Sequence, residues 1–242
     1  YYASRGLGDV YKRQGVEMGK FFADKGIKTA AIYGAFIPNP MHVYRTAGVL
    51  AGLGLSYGGA TTEEDVVGLI FADQGIDLSK ISGDIKIVSY LQGYGDTTTD
   101  EINAAIQAAP EAFISVGMAT TFFTQQLNAA GIEFSDIDSF TKSNGEAITN
   151  GKLVYLAGKY SSSVGPAFAL VMNAINGNVI RDAQGNAVSL SQNYQVATDS
   201  ETFDKFYKND NGDNPIYSRD TLDQIIGDTV TFDTINEVVA SN

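Results

Sequence analysis

The 242-residue chain contains no cysteine, no tryptophan and a single histidine. Without cysteine there is no disulfide, Fe–S cluster, thiolate zinc site or cysteine nucleophile. With His42 alone, neither a histidine metal cage nor an ordinary Ser–His–Asp site assembles readily. Basic charge is scarce as well: 16 Lys and Arg face 28 Asp and Glu, for a net charge of -12 and a pI near 4.4. A phosphate-backbone binder needs clustered Lys and Arg, so the balance argues against nucleic acid as a partner. Long apolar runs are also missing. The best candidate, Val164 to Ile175, falls short of the roughly 18–20 residues that span a bilayer and reads as a core helix. What is present is 44% hydrophobic residues at a mean hydropathy of -0.06, enough for real cores and incompatible with disorder.

The opening stretch Tyr1 to Gln14 (YYASRGLGDVYKRQ) shows no amphipathic period and joins poorly to the helical pattern that begins at Gly15. It reads as a translated adapter or assembly scar, to be set outside the fold, with any natural N-terminal signal lost. From Gly15 onward the chain alternates helix and strand. The spacing predicts helices over 15–26, 43–52, 62–73, 99–109, 120–130 and 145–150. Strands are expected within KTAAIYGAFIP (28–38, ending in a Pro-containing loop) and at 85–90, 112–116, 137–140 and 153–157. Such alternation defines an α/β class with a doubly wound parallel sheet covered on both faces. In these sheets ligands sit beyond the carboxyl ends of the strands. The segments to inspect are therefore 35–39, 91–96, 117–121, 140–144 and 158–161.

After Ser163 the composition shifts. A long helix over 164–176 leads into Asn-, Asp- and Ser-rich connections, with further helices expected near 202–208, 220–226 and 232–240. The run Asn209 to Asn214 lacks the spacing of a calcium loop and reads as a solvated turn. Gly52-Leu53-Gly54 precedes no strand-to-helix phosphate turn, so no nucleotide fingerprint is present.

The order of several pieces is distinctive. A helix ending Ala23-Asp24-Lys25-Gly26 precedes the strand AAIYG, and a loop leads to Arg45-Thr46-Ala47-Gly48. Then come PEAFISVGMATTFFTQQLNAAGI and NGKLVYLAGKYSSSVGPAFALVMNAINGN, the latter with Gly151, Leu153, Gly165 and Gly177 in place. In this order and spacing, 15–178 resembles the type I periplasmic (solute) binding proteins, whose lobe is shared with the LacI-type repressor core. The resemblance implies two α/β lobes joined by three crossing segments, hinge closure on a sugar-like small molecule, and no cofactor, metal or catalysis. It also implies an ABC permease as membrane partner and an extracytoplasmic, periplasmic or lipid-anchored location. On that plan 1–14 is the scar, 15–160 the C-terminal lobe, and 161–242 the remainder of an incomplete N-terminal lobe plus tail. The ligand-sensing lobe of a LacI-type transcription regulator is the alternative.

The resemblance also nominates residues. Arg45 stands at the R-x-x-G position, and its rigid fork of donors suits hydroxyls or a carboxylate. Lys159 stands where the family often carries a ligand-facing Gln; a lysine cannot accept hydrogen bonds, which points to an acidic ligand or a lobe-spanning ion pair. The family's Asn-Asp after the fourth strand is replaced by Val116-Gly117-Met118-Ala119-Thr120. Its Gly-Phe-Asp becomes Asp138-Ser139-Phe140-Thr141, leaving Asp138, Thr141 and Asn144 as alternatives for the polar ligand contact. Tyr94 is placed to stack on the apolar face of a sugar, with Phe36 and Tyr160 as further post-strand aromatics. His42 is expected in the loop before Arg45, as a surface or secondary ligand contact.

Overall fold

The computed structural model describes residues 2–94, 97–190, 192–213 and 215–240. The chain divides into two compact units, 1–138 with 146–157, and 139–145 with 158–242.

The first unit is built on strands β1 (Thr29–Tyr33), β4 (Lys86–Leu91), β5 (Ala112–Ser115), β6 (Glu133–Ile137) and β7 (Leu153–Gly158). They pair in parallel in the order β4-β1-β5-β6-β7. Every residue of β5 and all but the first of β1 are buried, as expected of strands covered on both faces. β2 (Ser56–Tyr57) and β3 (Ile81–Ser82) form a small antiparallel pair that the alternation pattern did not reveal. From β1 the chain winds first to β4 on one side, then to β5 and onward on the other. The switch in direction therefore lies between β1 and β5, the place where doubly wound sheets open a crevice at their carboxyl ends.

Helix α1 (Tyr2–Asp24) runs unbroken through the stretch expected to stand outside the fold. Gln14 is buried, and Lys12 pairs with Glu63 at the start of α3 (Glu63–Ala72). Whatever the origin of Tyr1 to Gln14, residues 2–14 are helical, and their lack of an apolar period did not prevent that. The reason lies further along the helix. Gly15 and Gly19 face Gly48 and Gly52 of α2 (Pro40–Gly52), and a Cβ at Gly48 would fall 2.2 Å from the Lys12 carbonyl. Four bare glycines thus let two helix backbones touch, which holds α1 by shape rather than by apolar periodicity.

Helix α2 starts at Pro40, earlier than the expected 43, with Asn39 Oδ1 accepting from Met41 N at 3.0 Å. A proline with its fixed φ suits the first helical position, so the apparent loop residue is a helix start. His42 consequently sits in the first turn of α2, not in a loop, and is only 5% exposed. The expected helix 120–130 is split into α5 (Ala119–Phe122) and α6 (Thr124–Ala130) at Phe123, whose ring is buried against Tyr33 and Phe113. The expected strand at 137–140 lies instead at 133–137 as β6. Its buried positions include Ser135 and Asp136, which hid it from a search for apolar runs. Helix α4 (Thr97–Gln107) completes the layers of this unit.

The second unit contains α8 (Gly165–Ile175), β8 (Gln195–Ala197), α9 (Ser200–Asn211), α10 (Arg219–Gln224) and α11 (Phe232–Ala240). One cluster joins Ala169, Ile180, Ile225, Ile235 and Val239. Asn173, fully buried, donates to Ile225 O and accepts from Gly227 N, both at 2.8 Å, so both ends of its amide are satisfied. A second cluster packs Phe140 against Tyr160, Phe203 and Phe206. Asp210, expected in a solvated turn, lies instead in the last turn of α9 and accepts from Ser161 N at 2.6 Å. Among the described residues no three His, Cys, Asp or Glu side chains are grouped to hold a metal ion.

Candidate ligand-binding site

At the carboxyl ends of β1, β4, β5 and β6 several polar and aromatic groups converge within the first unit. Arg45 reaches across the switch point from α2. Its Nη1 donates to the Val116 carbonyl just past β5 at 3.2 Å, and its Nε donates to Gln14 Oε1 at 2.8 Å. Tyr11 lies over the guanidinium, 5.4 Å from ring centroid to Cζ. Burial lowers the Arg45 pKa to about 10, against the opposing influence of Tyr11 and Asp136, so the side chain stays cationic at neutral pH.

Two turns at these strand ends carry unusual backbone. Ala35 after β1 (φ 53) and Met118 after β5 (φ 72) are left-handed although neither is glycine. Such conformations cost energy and gather at functional sites. Beside them Phe36 stacks on Tyr94 (5.8 Å, 23°), and Tyr94 meets Phe122 of α5 at 5.7 Å. Phe36 is 45% and Tyr94 41% exposed, so the loops after β1 and β4 and helix α5 present a ring platform to solvent. Phe122 was not nominated from sequence; the Thr-Thr-Phe-Phe run after β5 was the available signal.

On β6, Asp136 is fully buried and accepts from Thr120 N and Thr120 Oγ1, each at 2.7 Å, from Ile137 N at 2.9 Å and from Ser115 Oγ at 3.1 Å. Burial pushes its carboxyl above the usual range, and the Thr120 N–H works against that shift. The same Thr120 hydroxyl lies 3.0 Å from Asp138 Oδ2. Asp138 is thereby tied to the start of α5 at the edge of the platform. Sequence reasoning missed Asp136 because it falls inside a strand; the alternation in FSDI was the only trace.

Arg45, Phe36, Tyr94 and Asp138 are thus all placed by the first unit, with His42 beside them. Lys159, Thr141 and Asn144 fall in the second. Thr141 Oγ1 accepts from Asn144 N at 3.2 Å at the start of α7 (Lys142–Asn150), and Asn144 Nδ2 donates to Ser139 O at 2.7 Å. Both side chains shape their own turn. Lys159 is exposed directly after β7. A groove lined by Leu78, Ile81, Ile85 and Val88 lies near the opposite end of β4 and carries none of this chemistry.

The first unit is thus a doubly wound α/β unit with donors and stacked rings gathered at its switch point, the place where such sheets open a crevice. Neither protein-family models nor curated proteins give a match to the chain. Solved structures do. A periplasmic solute binding protein of an ABC transporter from Actinobacillus succinogenes 130z, with bound D-allose, superposes with a TM-score of 0.53 at 15% identity, covering 81% of this chain and 61% of that one. The periplasmic component of the arabinose ABC transporter from Shewanella sp. ANA-3, bound to L-arabinofuranose, gives 0.54 at 16% identity, covering 84% and 61%. A sugar-binding protein of a sugar ABC transporter from Bacillus halodurans gives 0.52 at 15% identity, covering 81% and 64%. The chain therefore has the type I periplasmic binding protein fold, and it spans about three-fifths of the length of these proteins. Among the described residues no helix is long and apolar enough to cross a membrane.

Proposed function

We propose that the chain captures a sugar or related polar small molecule for an ABC importer outside the cytoplasm, performing no chemistry. The observation that carries this reading is the meeting of Arg45, the Val116 carbonyl and the Phe36–Tyr94–Phe122 rings at the switch point. A cationic fork binds hydroxyl or carboxylate oxygens while aromatic faces cover the C–H face of a sugar ring. The sugars in the superposed structures support the same class. The regulator-lobe alternative draws no support from them. Calorimetry with a panel of neutral and acidic sugars tests the proposal; absence of heat from every member overturns it.

The same proposal gives Lys159 a preference for a carboxylate or phosphate on the ligand. Lys159→Gln is expected to shift preference toward neutral sugars by about tenfold, a loss of one charged contact. Equal changes for every member of the panel would assign Lys159 to lobe closure instead.

The division into a C-terminal lobe over 15–160 and part of a second lobe over 161–242 belongs to the same proposal. It is supported by α8 and its flanks, where Val164, Phe168, Val171, Ile175 and Val179 form an exposed apolar stripe, Ile175 at 71%. Phe168, Val171 and Ile175, at spacings of three and four residues, share one face of α8, and Val164 and Val179 flank the helix. Such a face packs on something in the working protein. The 242-residue chain alone is expected to self-associate through it, and Val171→Glu with Ile175→Lys should return it to monomer in sedimentation velocity. A monomeric parent chain would count against this use of the stripe.

A further inference from the structure

Three polar atoms surround one glycine of the site. A side-chain carbon at Gly117 would stand 3.6 Å from Ile137 O, 3.8 Å from His42 Nε2 and 3.9 Å from Arg45 Nη1, all ordinary van der Waals separations. The glycine thus leaves room for a methyl-sized group among a carbonyl acceptor, a guanidinium donor and an imidazole nitrogen. Met118, the next residue, is 37% exposed.

The imidazole is held in an unusual way. Among the described residues, its hydrogen bonds both use Nδ1, 3.0 Å from Phe36 N and 3.1 Å from Phe36 O. These bonds are alternatives. With the proton on Nε2, Nδ1 accepts the Phe36 N–H; with the proton on Nδ1, it donates to the Phe36 carbonyl. One backbone residue therefore anchors either neutral tautomer, and Nε2 is left able to donate or to accept without loss of the anchor. Burial, with the nearby charge of Arg45, holds the imidazole below its ordinary pKa, while the Phe36 backbone opposes the shift. Arg45 on its own helix is the charge that acts on it; Asp136 on β6 and Tyr11 on α1 act on Arg45.

We propose that His42 is a specificity-determining contact, its Nε2 joining Arg45 Nη1 and Ile137 O to receive one hydroxyl group of the ligand over Gly117. This inference rests on the solute-capture reading and goes beyond it by naming the group that is recognised. A hydroxyl is matched to all three atoms. Its one proton goes to Ile137 O, and its lone pairs accept from Arg45 Nη1 and from Nε2–H, the tautomer in which Nδ1 accepts the Phe36 N–H. A carboxylate oxygen in the same place would face the Ile137 carbonyl without a proton to share, and an ammonium would face Arg45.

Because His42 is the sole histidine, a chain carrying 15N-labelled histidine gives one imidazole to follow. The 242-residue chain is titrated with D-allose, D-galactose, L-arabinose and D-ribose, with calorimetry in parallel. The sugar that gives heat should move the Nε2 resonance. Its affinity should fall about tenfold as pH drops through the titration of the imidazole, since Nδ1 of the imidazolium can no longer accept the Phe36 N–H that anchors the ring and its charge repels Arg45. His42→Phe should weaken that sugar about tenfold, and His42→Gln, which retains donor and acceptor, should recover part. Heat with an unmoved Nε2 resonance, or parental affinity in His42→Phe, overturns the role of His42 and leaves solute capture standing. The resonance is read in the parent protein, so this test survives a variant that fails to fold. No heat from any of the four sugars overturns the hydroxyl contact; no heat from the wider panel with acidic members overturns capture itself.

Discussion

Asp136→Ala is expected to lower the stability of the first unit by about 3 kcal/mol, the scale for stripping partners from buried polar groups. The carboxylate accepts four bonds, two from backbone N–H groups of Thr120 and Ile137 and two from the hydroxyls of Thr120 and Ser115. These groups come from β5, β6 and the start of α5, so one side chain joins the turns that position Met118, Asp138 and the Phe122 ring. Alanine supplies no acceptor to any of them. Asp136→Asn keeps one carbonyl oxygen but turns an amide toward groups that themselves donate, and should lose about half as much. The pH dependence has a definite sign. Burial raises the folded-state pKa above the unfolded value, so the folded protein binds the proton more readily. The contribution of Asp136 is therefore largest at low pH and declines as pH rises through the folded-state pKa. Urea denaturation of parent and variant from pH 7 down to pH 4 should show the gap between them widening on acidification. A gap that is flat, or that narrows, would mean the carboxylate is ionised throughout.

The sheet was legible where burial and apolarity coincide. β1, β5 and β7 appear in the sequence as apolar runs because both faces are covered, and α3 announces itself with the Thr62 cap that accepts from Asp65 N at 3.1 Å. Legibility failed where a polar group is buried with its partners supplied from far along the chain. β6 was placed several residues late because Asp136 looks like a loop residue until Thr120 is brought to it from 16 residues away. His42 was read as a loop residue because Pro40 suggests a break, whereas at the first helical position it starts α2. The tie of Arg45 to Val116 spans 71 positions and has no local signature. The contact of α1 with α2 escaped notice for the opposite reason: its glycines carry no side chain that a periodicity could detect. The aromatic nominations were read more directly, since Phe36 and Tyr94 follow β1 and β4 immediately, and post-strand position alone places them at one end of the sheet.

Arg45→Ala is expected to act on both ligand and fold. For a sugar held by the guanidinium, affinity should fall by about 1.5–3 kcal/mol, the range for a lost charged hydrogen bond. The fold should weaken too, because the side chain is 8% exposed and its loss removes a donor from the Val116 carbonyl and from Gln14. The two effects separate by method. Calorimetry reports on molecules that are folded, and denaturation reports on how many are. Arg45→Lys keeps the charge but not the fork, so it should satisfy one acceptor at a time and recover only part of either quantity. The depressed pKa of about 10 does not alter this at neutral pH, where the parent side chain remains protonated. If Arg45 only buttresses the turn after β5, both variants will lose stability while their folded fractions bind sugar as tightly as the parent. If it clamps the ligand, affinity will order the three proteins Arg, Lys, Ala even where stability has been equalised by temperature. Unchanged affinity across that series would remove Arg45 from the binding site and leave the aromatic platform and His42 to carry recognition in this unit.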